Sequence, residues 1–576
     1  LGIVLVYSIV RTRGNTIFLG LLLFLLLYLF THRKRTPIQW DAIEYKHLAI
    51  AIAVLSLFFI LIAFFIFGPS FYNKFLYHDF SFYAAIAHSL KAVGSENLHI
   101  SLTENIYDRS FYHYFELWLA AFFSLLYKTP TLTSLIQITQ PLLLTIMSVG
   151  AYTVCNTYIP NKRLPRIICV ISVFAVPFLA EVLNSVFNTT LFVNFSMLNQ
   201  FWLKYTIIVI CIIWWFLYVR DRQMLHIPLL VLTFVYSTTL FVITASVVLH
   251  YTFFVKKSKQ SILHYGILLF PFLFYIVYYG VWNSSGAEAP QSVLSKTIEN
   301  FTNFTYTDAK KLMGDVLLFA IRHYTIYILF LIPVGVYIIR HKNILYTSSF
   351  IFFVILSVIA FTIIPILLFY HDVIQIHSNV YQSFICIGII VSFIVLYTLH
   401  APLFYVLSIS ITIVFASLFY SKYASNNDYS QHEPTIEVFK KISTQPFTSC
   451  YIQNADAYEW FIARNIDLVI PFTHLRMFTD SYYPICLSVI DIPEAKTEKE
   501  KVYSDKRIKN SQFYIYAQER NDMHADTLKL AYLREHTIDY LFLAKGNSFY
   551  KLLPQLPITH HYTLEGEPFD IIQFAW

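Results

Sequence analysis

The sequence predicts a mainly α protein: a polytopic bundle of about 11–13 membrane-spanning helices followed by a C-terminal soluble α/β domain. Three observations predict it. The chain of 576 residues is 57% hydrophobic and 13% charged, about half the charge of an ordinary soluble domain. Many apolar runs reach ~20 residues, the length that crosses a bilayer core. The third is a sharp change after residue 420, where apolar runs shorten to four to six residues. Heavy use of Phe (54) and Tyr (43) fits aromatic packing in lipid and at its interfaces. The net charge of +7 sits in short clusters beside the apolar runs, so a membrane partner is expected and a nucleic-acid partner is not.

Those clusters set the topology. They are His32-Arg33-Lys34-Arg35, Asn161-Lys162-Arg163 with Arg166, Arg220-Asp221-Arg222, Lys256-Lys257 with Lys259, and Arg340-His341-Lys342. The positive-inside rule puts all five on the cytoplasmic side. Spans then read as 1–10 (too short to cross, so the start is read as truncated), 15–31, 48–67, 131–158, 167–183, 201–219, 227–238, 239–255, 261–282, 315–339, 344–369, 381–399 and 402–420. Arg11 and Arg13 fall outside, a small violation of the rule. The stretch 227–255 is bracketed by two basic clusters, so it is expected to cross twice as two short, re-entrant helices. The run 111–127 is apolar enough to span, but that would invert every later cluster. It is read as a helix along the outer interface.

The chain therefore divides at 420: a membrane domain over 1–420, with 68–130 as its first outer loop, and an extracytoplasmic domain over 421–576. In the second domain, 450–453 and 467–470 read as strands and 455–464 as a helix. Asp526 to His536 is an amphipathic helix, and Thr537 to Ala544 a buried strand. Cys155, Cys169, Cys211 and Cys386 are packing residues; Cys450 and Cys486 are either a disulfide or two thiols.

The chemical signal is acidic residues on the outer face. Phe80 to Lys91 reads as a helix ended by Gly94, with Asp79 as its N-cap. The same geometry suits a fixed carboxylate base, and the two readings weigh equally. His78 stands beside it. His113 and Glu116 are three apart on one helix face; with Asp79 or Asp108 they could hold a divalent cation such as Mg or Mn, the bland reading being polar groups snorkelling at the lipid boundary. Glu96 lies in a turn, which explains it before any site role does. Lys204 and Arg322 lie near outer ends of spans, where a cation could hold a lipid phosphate or reach the headgroups. His371, Asp372 and Gln375 concentrate in the last outer loop and suit sugar hydroxyls, as they would suit solvent.

Three features together resemble the GT-C superfamily of polytopic glycosyltransferases. Asp79 follows a span in a long first outer loop, within HDFSFYAAIAHSL. A second helix opens on YHYFELWLAA, and the tail carries LREHTIDYLFL. The likeness covers nearly the whole chain; it departs in having YHYF where the family has HPPL, no clean DxD, and an added hairpin before 48–67. The resemblance implies a bacterial plasma-membrane enzyme working on the periplasmic or extracellular side. It would use a polyprenyl-phosphate-linked sugar donor and a glycan, lipid or protein acceptor. Asp79 would act as base with inversion at the anomeric carbon. His78, Glu96, Asp108, His113, Glu116, Lys204, Arg322, His371, Asp372 and Gln375 would bind substrate. A transporter or flippase of lipid-linked glycans is the alternative from another class; it would want polar residues at mid-membrane and repeated halves, and the sequence has neither.

Overall fold

The computed structural model describes residues 1–12, 16–31, 42–67, 78–92, 94, 96, 113–159, 162–176, 179–188, 203–221, 226–254, 261–280, 310, 314, 388–424, 438, 441–442, 449–452, 488–489, 512–520, 523–565 and 569–576. Most of these are helical, and a small sheet lies at the C-terminal end.

The chain opens with a helical hairpin, α1 (Gly2–Arg11) and α2 (Ile17–Thr31). Then come α3 (Ala42–Phe67), α4 (His78–Ala92) and α5 (Phe115–Tyr127). A continuous helical run follows: α6 (Thr131–Thr133), a π-helical segment Ser134–Thr139, and α7 (Gln140–Tyr158). By length and composition, Thr131–Asn156 is apolar and long enough to cross a membrane; the other apolar helical stretches described together with their side chains, such as Ala49–Ala63 and Ala401–Ser417, are shorter.

The expected span 167–183 is two helices, α8 (Arg163–Ala175) and α9 (Leu179–Val186). Next are α10 (Leu203–Asp221), α11 (Ile227–Val235), α12 (Leu240–Phe254) and α13 (Ser261–Gly280). The last apolar helices are α14 (Gly388–Leu399) and α15 (Ala401–Ala424), the latter packed on α8.

The 227–255 stretch does double back. His226, just before α11, meets His250, near the end of α12, with Nε2 and Nδ1 3.0 Å apart. A straight run of 24 residues would hold them ~36 Å apart. A one-turn 3-10 segment, Ser237–Thr239, makes the reversal. Trp215 of α10 donates its indole N–H to His226 Nδ1 (2.8 Å), so the two histidines tie α10, α11 and α12 at one level.

One hydrophobic cluster runs through these helices, from Val4 to Ile411. A second lies entirely within 450–574. There the strands are β1 (Ser449–Ile452), β2 (Ser488–Val489), β3 (Tyr540–Ala544), β4 (Ile558–Tyr562) and β5 (Phe569–Phe574), in the order β2-β1-β3-β5-β4. β1 runs parallel to β2 and β3, and the β3-β5-β4 side is antiparallel. Helices α16 (Gln512–Gln518) and α17 (Ala525–Glu535) pack with Leu541, Leu543 and Ile572 in this second core. β1, α17 and β3 match the sequence reading; β2, β4 and β5 go beyond it. The expected helix 455–464, the strand 467–470, Cys486 and spans 315–339 and 344–369 lie outside the described residues. Asp570 on β5 is a buried corner of the sheet: it accepts from Tyr550 Oη (2.8 Å), His561 Nε2 (3.3 Å) and the Leu564 N–H (3.2 Å).

Candidate functional site

The first polar segment holds two helices, α4 and α5, that pack against each other. Near their starts, the His113 ring stands edge-on to Tyr83 of α4, centroids 5.3 Å apart. Near their ends, Lys91 Nζ of α4 donates to Ser124 Oγ of α5 at 3.0 Å. Thr131, just after α5, also donates to the Ala84 carbonyl of α4 (3.1 Å). Asp79 is in the first turn of α4, His113 is two residues ahead of α5, and Glu116 is in the first turn of α5. Asp79 precedes Tyr83 by four residues, one turn or ~6 Å along the axis. The His113 ring thus meets α4 one turn along the chain from Asp79.

Two details correct the sequence reading. α4 begins at His78, so Asp79 sits inside the first turn rather than at the N-cap; a carboxylate remains favourable there, because the first turn carries the positive end of the helix dipole. More consequential is α5. It was expected to lie along an interface with one face to lipid, yet Phe115 to Ala121, Phe123 and Ser124 are all buried. α1 and α4 pack on it, with the π-helical segment against another side. The N-terminal hairpin supplies cover that the apolar pattern of 111–127 alone did not reveal.

The snorkelling reading of His113 and Glu116 is likewise overturned. His113 is 3% exposed and Glu116 0%. The two are bonded directly, His113 Nδ1 to Glu116 Oε1. Pairing is what allows two ionisable groups to be buried at all. Tyr236, at the α11–α12 reversal, closes the other side of the His113 ring with centroids 5.4 Å apart. The second Glu116 oxygen, Oε2, is buried with no hydrogen-bond partner among the described residues. A divalent cation bridging His113 and Glu116 would separate the two atoms that are bonded here. One open carboxylate oxygen is not a cage, and a cation at this point needs donors from beyond the described residues. No group of three or more His, Cys, Asp or Glu among the described residues is arranged to hold a metal.

Glu96 is a buried anchor. It is 3% exposed, and its carboxylate accepts four hydrogen bonds. Thr16 Oγ1 (2.5 Å) and Trp118 Nε1 (2.9 Å) give to Oε1. The Ile17 N–H (3.0 Å) and Tyr278 Oη (2.7 Å) give to Oε2. Tyr114 Oη adds a bond to the Glu96 carbonyl at 2.8 Å. One side chain thus caps α2 and ties it to α5 and α13.

The same contact zone accounts for Arg11, which violated the charge rule. Its Nε donates to the Lys91 carbonyl at the end of α4 (2.9 Å), and Thr12 Oγ1 donates to the Gly94 carbonyl (2.9 Å). Gly94 has φ +74°, and a Cβ there would press on the Arg11 carbonyl. Sequence reasoning singled out the acids of this segment but missed the rings that hold them, Tyr83, Trp118, Tyr236 and Tyr278. Only Tyr83 carried a local signal, its one-turn spacing from Asp79.

The side chains of His78, Asp79 and Lys204 lie outside what is described, although their backbones belong to α4 and α10. Asp108, Arg322, His371, Asp372 and Gln375 lie outside the described residues altogether. No protein-family model matches the chain, and no curated protein matches it.

Proposed function

We propose that this chain is an integral-membrane glycosyltransferase. It moves a sugar from a polyprenyl-phosphate-linked donor to an acceptor hydroxyl on the outer face of a bacterial plasma membrane. The observation that supports the reading is the buried His113–Glu116 pair, whose imidazole packs on Tyr83 of α4, the helix with Asp79 in its first turn. Asp79 takes the proton of the acceptor hydroxyl, whose oxygen attacks the anomeric carbon. The bond from that carbon to the lipid phosphate breaks, and its electron pair leaves with the phosphate. A single base and a direct displacement give inversion. Arg322 and Lys204 offset charge on the departing phosphate, and His78, Asp108, His371, Asp372 and Gln375 contact sugar hydroxyls.

Exposed apolar stripes support a lipid surround. On α3, Ile50, Val54, Leu57, Phe58 and Leu61 form one face, each more than half exposed. On α15, Leu403, Val406, Ile409 and Ile413 do the same. Continuous apolar faces of this length are membrane or partner surfaces, not solvent surfaces. The 421–576 domain then stands on the acceptor side.

A second reading, export or flipping of a lipid-linked glycan, is favoured by one observation. The α11–α12 hairpin reverses after only nine residues of α11, ~14 Å of rise against a core of ~30 Å, and such half-crossing helices build transport sites. Purified protein in vesicles with a labelled polyprenyl-phosphate sugar separates the two. Transfer of label to an acceptor supports the first; movement of intact donor across the bilayer supports the second.

A further inference from the structure

At the far end of α7, the start of α8 carries a positive charge inward with no acid to meet it. α7 has 19 residues, a rise of ~28 Å, close to the ~30 Å core of a bilayer. The π-helical segment that leads into it packs on α5, while Ile159 and the first turn of α8 follow its end. In a membrane the two ends reach opposite faces. The basic cluster Lys162, Arg163 and Arg166 marks the second end as cytoplasmic.

Arg166 is 8% exposed. Its Nε donates to the Ile159 carbonyl at the end of α7 (2.7 Å). Its Nη1 donates to Tyr152 Oη (3.4 Å), and its guanidinium carbon lies 5.7 Å from the centre of that ring. These partners are all neutral. Among the described residues no carboxylate bonds to Arg166, and Nη2 has no hydrogen-bond partner. The sequence has no Asp or Glu between Glu116 and Glu181, and α15, which also packs on α8, has none. The carbonyl end of α7 offsets about half a charge. Lys162 and Arg163, both exposed, add two more positive charges, and the first turn of α8 holds no acid. A buried charge is ordinarily met by an opposite one. Here the described residues supply none.

We propose that Arg166, Lys162 and Arg163 form a binding site for the phosphate of an anionic phospholipid in the cytoplasmic leaflet. Arg166 Nη2 and the two exposed cations take the phosphate oxygens. The neighbours of Arg166 fit a lipid rather than a free ion: Leu164 and Ile167 are exposed apolar side chains on the same turn, placed to meet the acyl chains. A headgroup with net negative charge, such as that of phosphatidylglycerol, completes the charge balance. The ammonium of phosphatidylcholine is repelled by the three cations. The site stands about one bilayer core away from the end of α7 that meets α5. It depends on the membrane surround and not on glycosyl transfer.

The test is native mass spectrometry of detergent-solubilised full-length protein titrated with phosphatidylglycerol, phosphatidylcholine or inorganic phosphate, with melting midpoints in parallel. Wild type should hold phosphatidylglycerol at least about tenfold more tightly than phosphatidylcholine, and inorganic phosphate should not displace it. Arg166→Gln should weaken phosphatidylglycerol at least about tenfold, the loss of one charge-assisted contact. The double variant Lys162→Gln with Arg163→Gln, changed only at exposed positions, should weaken it while melting like wild type. Lys256→Gln with Lys257→Gln, in another basic cluster, should bind like wild type. Wild-type affinity in Arg166→Gln overturns the site, and so does an equal loss in the Lys256 and Lys257 variant, which marks diffuse charge attraction. Displacement by inorganic phosphate overturns the lipid as the occupant. Should Arg166→Gln unfold with the loss of its bond to α7, the Lys162 and Arg163 variant decides alone, and wild-type affinity there overturns the site. None of these outcomes bears on sugar transfer, which the labelled-donor assay reads separately.

Discussion

Replacing Glu96 tests the architecture most sharply, because its four donors fall in two pairs. Oε1 serves Thr16 Oγ1 and Trp118 Nε1, and Oε2 serves the Ile17 N–H and Tyr278 Oη. In Glu96→Gln one oxygen becomes an NH₂ group. Whichever oxygen is replaced, the hydroxyl of that pair can reverse and accept, while the N–H cannot. One buried donor is stranded, costing about 1–3 kcal/mol. Glu96→Ala strands all four, on the order of 4 kcal/mol or more, comparable with the whole stability of many proteins, about 5–15 kcal/mol. Tyr278→Phe removes one donor and leaves the carboxylate three, a loss of about 1 kcal/mol. The assay is the melting midpoint of detergent-solubilised full-length protein, followed by fluorescence-detected gel filtration. The expected order is wild type, then Tyr278→Phe and Glu96→Gln, then Glu96→Ala, with the last accumulating poorly. Equal midpoints for wild type and Glu96→Ala would refute the anchoring role, and a Glu96→Ala no worse than Glu96→Gln would refute the pairing of donors.

Gly94→Ala should destabilise by about 2 kcal/mol or more, from a left-handed φ costing ~1–2 kcal/mol plus the contact with the Arg11 carbonyl; the same melting assay reads it. Gly94→Asn, which tolerates that φ better, should still suffer from the contact. In the C-terminal domain, burial pushes the Tyr516 phenol up to about 12, with Glu535 adding to it, and burial followed by the Asp570 carboxylate raises Tyr550. Both groups keep their protons in the folded state above pH ~10, where an unfolded chain loses them. Their stabilisation is therefore complete below pH ~10 and declines as pH rises from about 10 towards 12. Urea unfolding of the sheet, followed by circular dichroism, should show that decline, and Tyr550→Phe with Tyr516→Phe should flatten it.

The reading from sequence succeeded where periodicity or charge bookkeeping carried the information. Two basic clusters around 227–255 were enough to demand a reversal, and the His226–His250 bond shows one. The amphipathic pattern over Asp526–His536 and the β-rich YLFLA segment gave α17 and β3 within a residue or two. It failed where tertiary contacts decide. Nothing in the 111–127 pattern distinguishes an apolar face turned to lipid from one covered by α1. Glu96 reads as a turn acid because its four donors come from residues 16, 17, 118 and 278, up to 182 positions away. The pairing of His113 with Glu116 was visible as a three-residue spacing, but its burial depended on Tyr83 and Tyr236, which pattern alone does not bring together. Strand β4 escaped because ITHHY is exposed along its length and lacks an apolar alternation.

Transfer of labelled sugar from a polyprenyl-phosphate donor by purified wild type and Asp79→Ala protein bears most directly on the proposed activity. The two proteins should melt alike, because Asp79 lies in the first turn of α4, outside the Glu96 and Arg11 anchors. Wild type should move label to an acceptor with inversion, and Asp79→Ala should lose at least about a hundredfold in rate. Asp79→Ala working at the wild-type rate would contradict the assignment of the base, and a wild type inert towards every such donor would contradict the activity itself.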